Sequence, residues 1–293
     1  MQSGPLSTAS GAPSGAGRLQ VLLVLGRVSN LPTVWSNCLA AWLLAGGGST
    51  GRFFTLCFGA TLLYTGGMFL NDAVDVDFDR QHRTERPIPS GLISERAVWF
   101  LAGVSLVAGW LLMAFLGTSP ALYGFGLLML IVVYDLVHKR TKLGVWLMAS
   151  CRFMLYLVAA SAASHGMNLT VGLRGLALAA YIFGLSLLAR GESTQGAVRA
   201  WSLGLLFVPA VAALVAGRPD LIVAAGAVLW VLWCVRGAFP GVRRNIRPSV
   251  AGLLAGIVLV DCLAAGTQNG TLRVLFGGLF VLALVLQRVA PAT

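Results

Sequence analysis

Long apolar runs, broken only by short polar joints, dominate this sequence. Each run is close to the roughly 20 residues that an α-helix needs to cross the hydrocarbon core of a bilayer. Hydrophobic residues make up 57% of the chain and charged residues only 11%, a balance too apolar for a soluble globule of this length. We therefore predict an all-α, polytopic transmembrane bundle of nine to ten helices. The runs lie at 21–46, 53–71, 96–117, 121–138, 143–164, 173–190, 198–216, 220–236, 249–266 and 271–289.

The joints and the N-terminus define the domain organisation. Residues 46–51 and 117–120 are short and rich in Gly, Ser, Thr and Pro, which favours antiparallel neighbouring helices. Residues 1–17 form an uncharged Ser/Gly/Ala/Pro tract that cannot bury apolar surface, so we expect a disordered tail. No soluble domain fits between the runs. The sequence therefore predicts one transmembrane domain over residues 18–293.

The distribution of basic residues predicts the orientation. A net charge of +11 would suit nucleic acid, but basic runs interleaved with aromatic residues are absent, so we expect no nucleic-acid partner. Basic residues instead gather in cytoplasmic joints of membrane proteins. With the N-terminus in the cytoplasm, that side collects Arg18, Arg27, Arg80, Arg83, Arg86, Arg96, Lys139, Arg140, Lys142, Arg190, Arg199, Arg236, Arg243, Arg244, Arg247 and Arg288, against Arg52, Arg174, Arg218 and Arg273 outside. We expect an integral cell-membrane protein whose candidate site faces the cytoplasm.

A cluster of acidic residues ends the second apolar run. Asn71, Asp75 and Asp79 are spaced four residues apart, which on a helix places them along one stripe at steps of roughly 6 Å. Such hard oxygen ligands suit Mg²⁺, which usually takes one or two carboxylates together with substrate phosphates. The stripe therefore predicts a substrate with a phosphate or diphosphate. Asp72 and Asp77 lie off the stripe, with metal-binding and solvated roles both open.

The simpler interpretation of this cluster is a solvated helix end. Carboxylates at a C-terminal end oppose the helix dipole, and like charges at four-residue spacing repel each other. A bound cation would offset both costs, which favours the metal site. Arg80, Arg83 and Arg86 follow directly and could clamp phosphate oxygens through their guanidinium groups, although each could also be an ordinary membrane anchor.

Two stretches carry a family resemblance. The pattern NDxxDxxxDR from Asn71, followed by RPIPSG from Arg86, resembles the first signature of the UbiA superfamily of intramembrane prenyltransferases. The stretch from Tyr134 to Gly144, with a Lys-Arg pair and a Thr, resembles the family segment after its fourth helix. The resemblance implies nine transmembrane helices, catalytic and Mg²⁺-binding roles for Asn71, Asp75 and Asp79, and substrate-binding roles for Arg80, Arg86, Tyr134, Lys139, Arg140 and Arg190.

The sequence departs from the family at its second acidic motif. A DxxxD pattern is expected near residues 188–200, but Glu192 is the single acidic residue there. Asp72 and Glu192 are therefore further candidate metal ligands, and two-metal catalysis is an open question.

The resemblance implies Mg²⁺-dependent transfer of a prenyl group from an isoprenoid diphosphate to an aromatic or other lipophilic acceptor, among membrane lipids. Aromatic faces would stabilise an allylic cation. The candidates are Trp35, Tyr64, Phe69, Tyr134 and Tyr156. Two alternatives stay open: a non-catalytic carrier or scaffold with this fold, and a CDP-alcohol phosphotransferase, although the Asp-x-x-Asp-Gly pattern of the latter is missing.

Arg152 and Asp261 are charged residues well inside apolar runs, where burial is costly. For Arg152 we expect a structural partner, with Asp135 on the preceding helix as the candidate. For Asp261 we expect a structural hydrogen-bonding role.

Overall fold

The structure is a computed structural model that describes residues 17–139, 141–193, 200–217, 220–236, 246–266, 269–288 and 290. Within these ranges the chain is helical and contains no strand, which confirms the all-α prediction. The helices are α1 (Arg18–Leu25), α2 (Leu31–Leu44), α3 (Thr50–Val74), α4 (Val76–His82), α5 (Glu95–Leu116), α6 (Thr118–Val137), α7 (Gly144–Ala162), α8 (Leu169–Ser193), α9 (Ala200–Gly204), α10 (Val208–Val215), α11 (Leu221–Val235), α12 (Ile246–Ala265) and α13 (Gly270–Leu286).

The first apolar run is not the single helix that the sequence predicts. Helix α1 ends at Leu25, a 3-10 turn covers Val28–Asn30, and α2 starts at Leu31. Arg27 has a φ of 42°, in the left-handed region, so the helix cannot continue through it. Pro32 then sits in the first turn of α2, where its missing N–H leaves no bond unmade. The break directs the Arg27 side chain towards the end of α3, with Nη2 3.3 Å from Asn71 Oδ1.

The seventh run is broken in a similar way. Helix α9 gives way to a 3-10 turn at Leu205–Phe207, and α10 starts at Val208. Pro209 in the first turn of α10 lacks an N–H and clashes with the carbonyl group four residues earlier, so one continuous helix cannot form. The start of the predicted run, residues 198–199, lies outside the described residues.

Glycines set the close approach of α3 and α5. A Cβ on Gly109 would meet the Gly59 carbonyl oxygen at 2.9 Å, and a Cβ on Gly59 would meet the Met113 methyl group at 2.8 Å. Small residues that let backbones approach are typical of helix packing in lipid. This packing fixes α3, whose last turn and the following α4 carry the acidic cluster.

The outer surface of the bundle suits a membrane. Among the described residues, six helices are long and apolar enough to cross a bilayer: α3, α5, α6, α7, α8 and α12. Large apolar side chains such as Phe100, Phe115 and Trp146 are exposed on their outside, while Tyr181 and Ile257 fill the interior. Apolar faces this extensive are favourable against lipid rather than water. The protein is an integral membrane protein.

Candidate active site

The acidic stripe forms across the junction of α3 and α4. The amide of Asp75 donates to the Asn71 carbonyl at 3.0 Å, and the amide of Asp79 donates to the Asp75 carbonyl at 2.9 Å. This four-residue hydrogen bonding continues through the junction, so the three side chains lie one turn apart. All three residues are buried, and Asp79 is only 1% exposed.

Two arginines hold the inner side of this stripe. Arg86 Nη1 lies 3.0 Å from Asp72 Oδ1 and 2.9 Å from Asp79 Oδ2, so it joins two carboxylates. Arg27 Nη2 lies 3.6 Å from the same Asp72 oxygen. Asp72, which is off the stripe in the sequence pattern, therefore belongs to the buried cluster.

Helix α6 closes the cluster from the other side. Lys139 Nζ lies 2.8 Å from Asp75 Oδ1, and His138 Nε2 lies 3.8 Å from Asp75 Oδ2. One turn earlier on α6, Asp135 Oδ1 accepts a hydrogen bond of 3.0 Å from Asn71 Nδ2. The end of α6 thus runs alongside the stripe and contacts it at both Asn71 and Asp75.

Some of the predicted residues are placed elsewhere. Arg80 is half exposed and pairs with Asp77 at 3.1 Å and Glu95 at 3.0 Å, so the structure does not bring it to the acidic cluster. Asp77 itself is exposed. Arg190 donates to the carbonyl groups of His138, Thr141 and Lys142 and so holds the joint between α6 and α7. Arg140 and the Glu192 side chain lie outside the described residues.

A cavity of about 460 Å³ lies beside the cluster. The part of its wall beside the cluster carries several cationic and polar groups, whereas the rest is mostly apolar, with Arg152 on α7 as a charged exception. Such a cavity matches a ligand with an anionic head and a hydrocarbon tail. The polar residues of the wall are Arg27, Asn30, Tyr64, Arg83, Arg86, Tyr134, Asp135, His138, Arg152, Ser186 and Arg190, and the apolar residues include Leu63, Leu155, Ile182, Leu185, Leu254 and Ile257.

Two of the five aromatic candidates line this cavity, namely Tyr64 and Tyr134. Trp35 instead donates from Nε1 to Thr61 Oγ1 at 2.9 Å. Tyr156 is fully buried and donates to Asp261, and Phe69 is also absent from the cavity wall. The structure thus narrows the aromatic contacts available to a ligand to two tyrosines.

The predicted pairing of Arg152 with Asp135 is wrong. Arg152 donates to Asn37 Oδ1 at 2.7 Å and to Thr33 Oγ1 at 3.0 Å, both on α2. Asn37 Nδ2 in turn donates to Asp261 Oδ2 at 2.6 Å, so Arg152 reaches a different carboxylate through a bridging amide. The sequence could not indicate this partner because it lies on the first run, far away along the chain.

The oxygen atoms of the cluster fit a hard divalent cation. Asp79 Oδ1 and Asp135 Oδ2 are buried and have no hydrogen-bond partner among the described residues. In that part of the chain no three acidic, histidine or cysteine side chains converge on one point. Mg²⁺ needs only one or two carboxylates when a substrate supplies phosphate oxygens, so the donor set is compatible with it.

Three residues at the site were missed by the sequence analysis as site residues: Arg27, Asp135 and His138. Arg27 and Asp135 meet Asn71 across 44 and 64 residues of chain, which no local spacing reveals. A signal did exist for Asp135, because an ionisable residue inside an apolar run marks a functional site by default.

Comparison with known proteins identifies the family. The sequence profile of the UbiA prenyltransferase family matches residues 30–241. The chain is 29% identical over 117 residues to a digeranylgeranylglyceryl phosphate synthase of Sulfolobus acidocaldarius, covering 40% of each chain. It is 28% identical over 120 residues to a 4-hydroxybenzoate octaprenyltransferase of Marinobacter nauticus, covering 40% of this chain and 41% of that relative. The matched part thus spans about 40% of the length of these relatives.

Solved structures agree on the fold. A UbiA homolog from Archaeoglobus fulgidus bound to GPP and Mg²⁺ aligns over 91% of this chain and 99% of its own, with a TM-score of 0.64 and 13% identity. A structure described for digeranylgeranylglyceryl phosphate synthase aligns over 93% and 95%, with a TM-score of 0.55 and 17% identity. The profile match covers well over half of the sequence and includes the acidic stripe and the end of α6. This chain belongs to the UbiA prenyltransferase family.

Proposed function

We propose that the protein transfers a prenyl group from an isoprenoid diphosphate to a lipophilic or aromatic acceptor in the membrane, with Mg²⁺ as cofactor. The observation that carries this proposal is the cavity, which joins a cationic end beside buried carboxylates to an apolar end within the bundle. The diphosphate head of the donor would lie at the cationic end, and its isoprenoid tail would lie at the apolar end.

The acidic stripe would hold the cation. Asn71, Asp75 and Asp79 present hard oxygens from successive turns, and Asp72 lies beside them. Bound Mg²⁺ supplies Lewis-acid stabilisation of the charge that develops on the leaving diphosphate. Lys139, now paired with Asp75, and Arg86, now paired with Asp72 and Asp79, are placed to exchange these contacts for phosphate oxygens.

The cationic wall acts on the leaving group. Arg27 and Arg83 line the cavity with Arg86, and guanidinium groups bind phosphate oxygens through paired, charge-assisted hydrogen bonds. In a site removed from water, such fixed donors stabilise developing negative charge more strongly than they would in solvent. Arg190 keeps the α6–α7 joint in position through three carbonyl contacts.

The apolar wall excludes water from the allylic carbon. Leu185, Leu254 and Ile257 give the hydrocarbon a dry surface, and the rings of Tyr64 and Tyr134 offer faces to a developing cation. The bond between the allylic carbon and the diphosphate oxygen breaks, and diphosphate leaves. The allylic carbon forms a new bond to the acceptor, which loses a proton. The two relatives differ in the acceptor that their names imply, so we propose the acceptor only as a class.

The second candidate function is a carrier that binds a lipophilic metabolite without turnover. It is favoured by one observation, the single acidic residue, Glu192, in residues 188–200. The CDP-alcohol phosphotransferase alternative gains no support from the family match.

One assay separates these functions. Purified protein is incubated with Mg²⁺, several prenyl diphosphates and a panel of phenolic and lipid acceptors, and prenylated product and inorganic diphosphate are measured. We expect turnover by the native sequence and its loss in Asp75→Ala. Asp77→Ala is the matched control, because it removes an exposed carboxylate two residues away. Binding without turnover under every condition would favour the carrier, and full activity of Asp75→Ala would contradict the site.

We also propose that the site faces the cytoplasm, from the distribution of basic residues. A reporter fused after Arg140 is expected to be cytoplasmic, and one inserted at Asn168 is expected to be external. The reverse pattern would place the acidic cluster on the outer face.

A further inference from the structure

Asp135 is a buried carboxylate that the proposed chemistry has not used. It lies on α6 inside a membrane-spanning helix, is 3% exposed and belongs to the wall of the cavity. Its Oδ1 accepts from Asn71 Nδ2 at 3.0 Å, while its Oδ2 has no partner among the described residues. Oδ2 is therefore available to a ligand beside the acidic stripe.

Asp135 differs from the other carboxylates of the cluster in its partners. Asp72, Asp75 and Asp79 each have a contact with Arg27, Arg86 or Lys139. Among the described residues, Asp135 makes no ion pair with any basic side chain. An ionised carboxylate without a cation is costly inside a protein and more so in a membrane-spanning segment. A divalent cation beside Oδ2 would give Asp135 the counter-charge that its own contacts do not supply.

The contact with Asn71 also fixes the direction of an amide. Because Nδ2 of Asn71 points at Asp135, its carbonyl oxygen Oδ1 points away, and Arg27 Nη2 is the contact that occupies it at 3.3 Å. An oxygen, not an amide nitrogen, is what a hard cation requires. Asp135 thus orients a candidate ligand and holds its own second oxygen beside it.

The end of α6 contacts the acidic stripe at two successive turns. One turn after Asp135, His138 and Lys139 reach Asp75, which itself lies one turn after Asn71. Asp135 therefore lies at the Asn71 end of the stripe, while His138 and Lys139 lie at Asp75.

We propose that Asp135 is a cation ligand contributed by α6: Oδ1 orients the Asn71 amide, and Oδ2 binds the divalent cation at the Asn71–Asp75 end of the stripe. This inference rests on the proposed function, since it concerns the same cation. It adds a ligand from α6 to the ligands that the sequence analysis draws from the acidic stripe, Asp72 and Glu192.

The test is a direct measurement of cation binding. Purified full-length protein in detergent is titrated with Mn²⁺, and free Mn²⁺ is read by electron paramagnetic resonance, alone and with inorganic pyrophosphate against a protein-free blank. Asp135→Asn keeps an oxygen that can accept from Asn71 but replaces the other with an amide group. We expect its dissociation constant for Mn²⁺ to rise about 10- to 100-fold.

Two further variants sharpen the result. Asp135→Ala loses both oxygens and is expected to bind at least as weakly as Asp135→Asn, and it replaces that variant in the test if the latter does not fold. Asp77→Asn makes the same chemical change at an exposed position and is expected to bind Mn²⁺ within about twofold of the native sequence. Thermal unfolding midpoints of all variants confirm that folded protein is compared.

The outcomes are distinct. Native binding that is weakened only by the Asp135 variants supports the inference. If the Asp135 variants bind Mn²⁺ within twofold of the native sequence, the inference is wrong and the proposed function still stands. If the native protein binds no Mn²⁺ with or without pyrophosphate, the cation-dependent function itself fails, and the inference fails with it.

Discussion

Two groups of buried carboxylates in this protein differ in how completely they are satisfied. Asp261 on α12 accepts from Ser36, Asn37 and Tyr156 at 2.5, 2.6 and 2.8 Å, and a bridging amide links it to Arg152. In the acidic cluster, Asp79 on α4 and Asp135 on α6 each have one buried oxygen without a hydrogen-bond partner among the described residues. Both groups lie at or inside apolar helices, where the cost of an ionised group is high.

The difference separates a structural role from a binding role. Asp261 has donors on both oxygens, so no further ligand is needed, and the donors come from α2 and α7, which it joins to α12. Asp135, one of the two residues with an open oxygen, lines the cavity, and Asp79 lies in the acidic cluster beside it. A buried polar network in which every group is hydrogen-bonded rigidifies a fold. A buried polar atom without a partner needs an explanation, and a bound ion is one.

The sharpest test applies the same substitution to both regions, beginning with Asp79→Asn. An amide oxygen can still accept from Arg86, but the charge that would bind the cation is lost. We expect turnover to fall at least about a thousandfold, because the loss of one charge-stabilising group at a reacting centre already costs 100- to 1,000-fold. Product formation under saturating Mg²⁺ is the measurement.

The stability of this variant is the control. Asp79 Oδ1 has no hydrogen-bond partner among the described residues, so an amide nitrogen placed there would meet no opposing donor, and we expect the thermal unfolding midpoint of Asp79→Asn to fall less than that of Asp261→Asn. A marked fall in the midpoint with little loss of turnover would reverse the assignment and make Asp79 the structural acid.

Glu192→Gln extends the test to the end of α8, where the family expects a second acidic motif. If Glu192 holds a second cation, its neutral analogue loses that charge and keeps the shape, and turnover should fall about 100- to 1,000-fold. The apparent Mg²⁺ requirement should rise with it. Release of inorganic diphosphate that matches the native rate would show that this joint holds no required metal.

The stripe itself could be predicted from sequence because its geometry is local. Four-residue spacing and helical hydrogen bonding decide where Asn71, Asp75 and Asp79 lie, and nothing from the rest of the fold is needed. The resemblance implied a substrate-binding role for Lys139 in the α6–α7 joint, and in the structure Lys139 contacts Asp75 of the stripe. The broken first run could not be predicted with the same ease, because Arg27 adopts a left-handed conformation that its residue type does not favour.

Partner choice inside the bundle was beyond the sequence. Arg152 and Asp135 lie on adjacent helices, so their pairing was reasonable, but the Arg152 side chain reaches α2 instead. Which helices meet across the bundle depends on tertiary packing, and an apolar run of this kind carries little information about which face is turned inward. For the same reason, Arg80 and Arg86 look equivalent in sequence while only Arg86 is placed in the cluster.

Asp261→Asn makes the same substitution at the carboxylate whose two oxygens are both hydrogen-bonded. The introduced amide nitrogen is a donor facing donors from Ser36 and Asn37 or from Tyr156, so at least one buried bond is lost and a buried donor is left unpaired. We expect a destabilisation of roughly 2–4 kcal/mol, seen as a lower thermal unfolding midpoint in detergent. Turnover at low temperature should stay within about threefold. A loss of turnover without any loss of stability would place Asp261 in the reaction.

Arg80→Ala has the smallest expected effect and tests the boundary of the cluster. Arg80 is half exposed, and its contacts with Asp77 and Glu95 are surface ion pairs, which contribute roughly 0–1 kcal/mol. Since its partners lie outside the acidic cluster and Arg80, unlike Arg86, does not line the cavity, we expect the turnover and Mg²⁺ requirement of Arg80→Ala to stay within about twofold of the native values. Arg86→Ala is the matched comparison, because it removes the same group from a buried contact with Asp72 and Asp79, and it should lower turnover at least about a hundredfold. If Arg80→Ala instead lowers turnover tenfold or more, Arg80 leaves its surface partners to bind the diphosphate, and the exposed side of α4 belongs to the site.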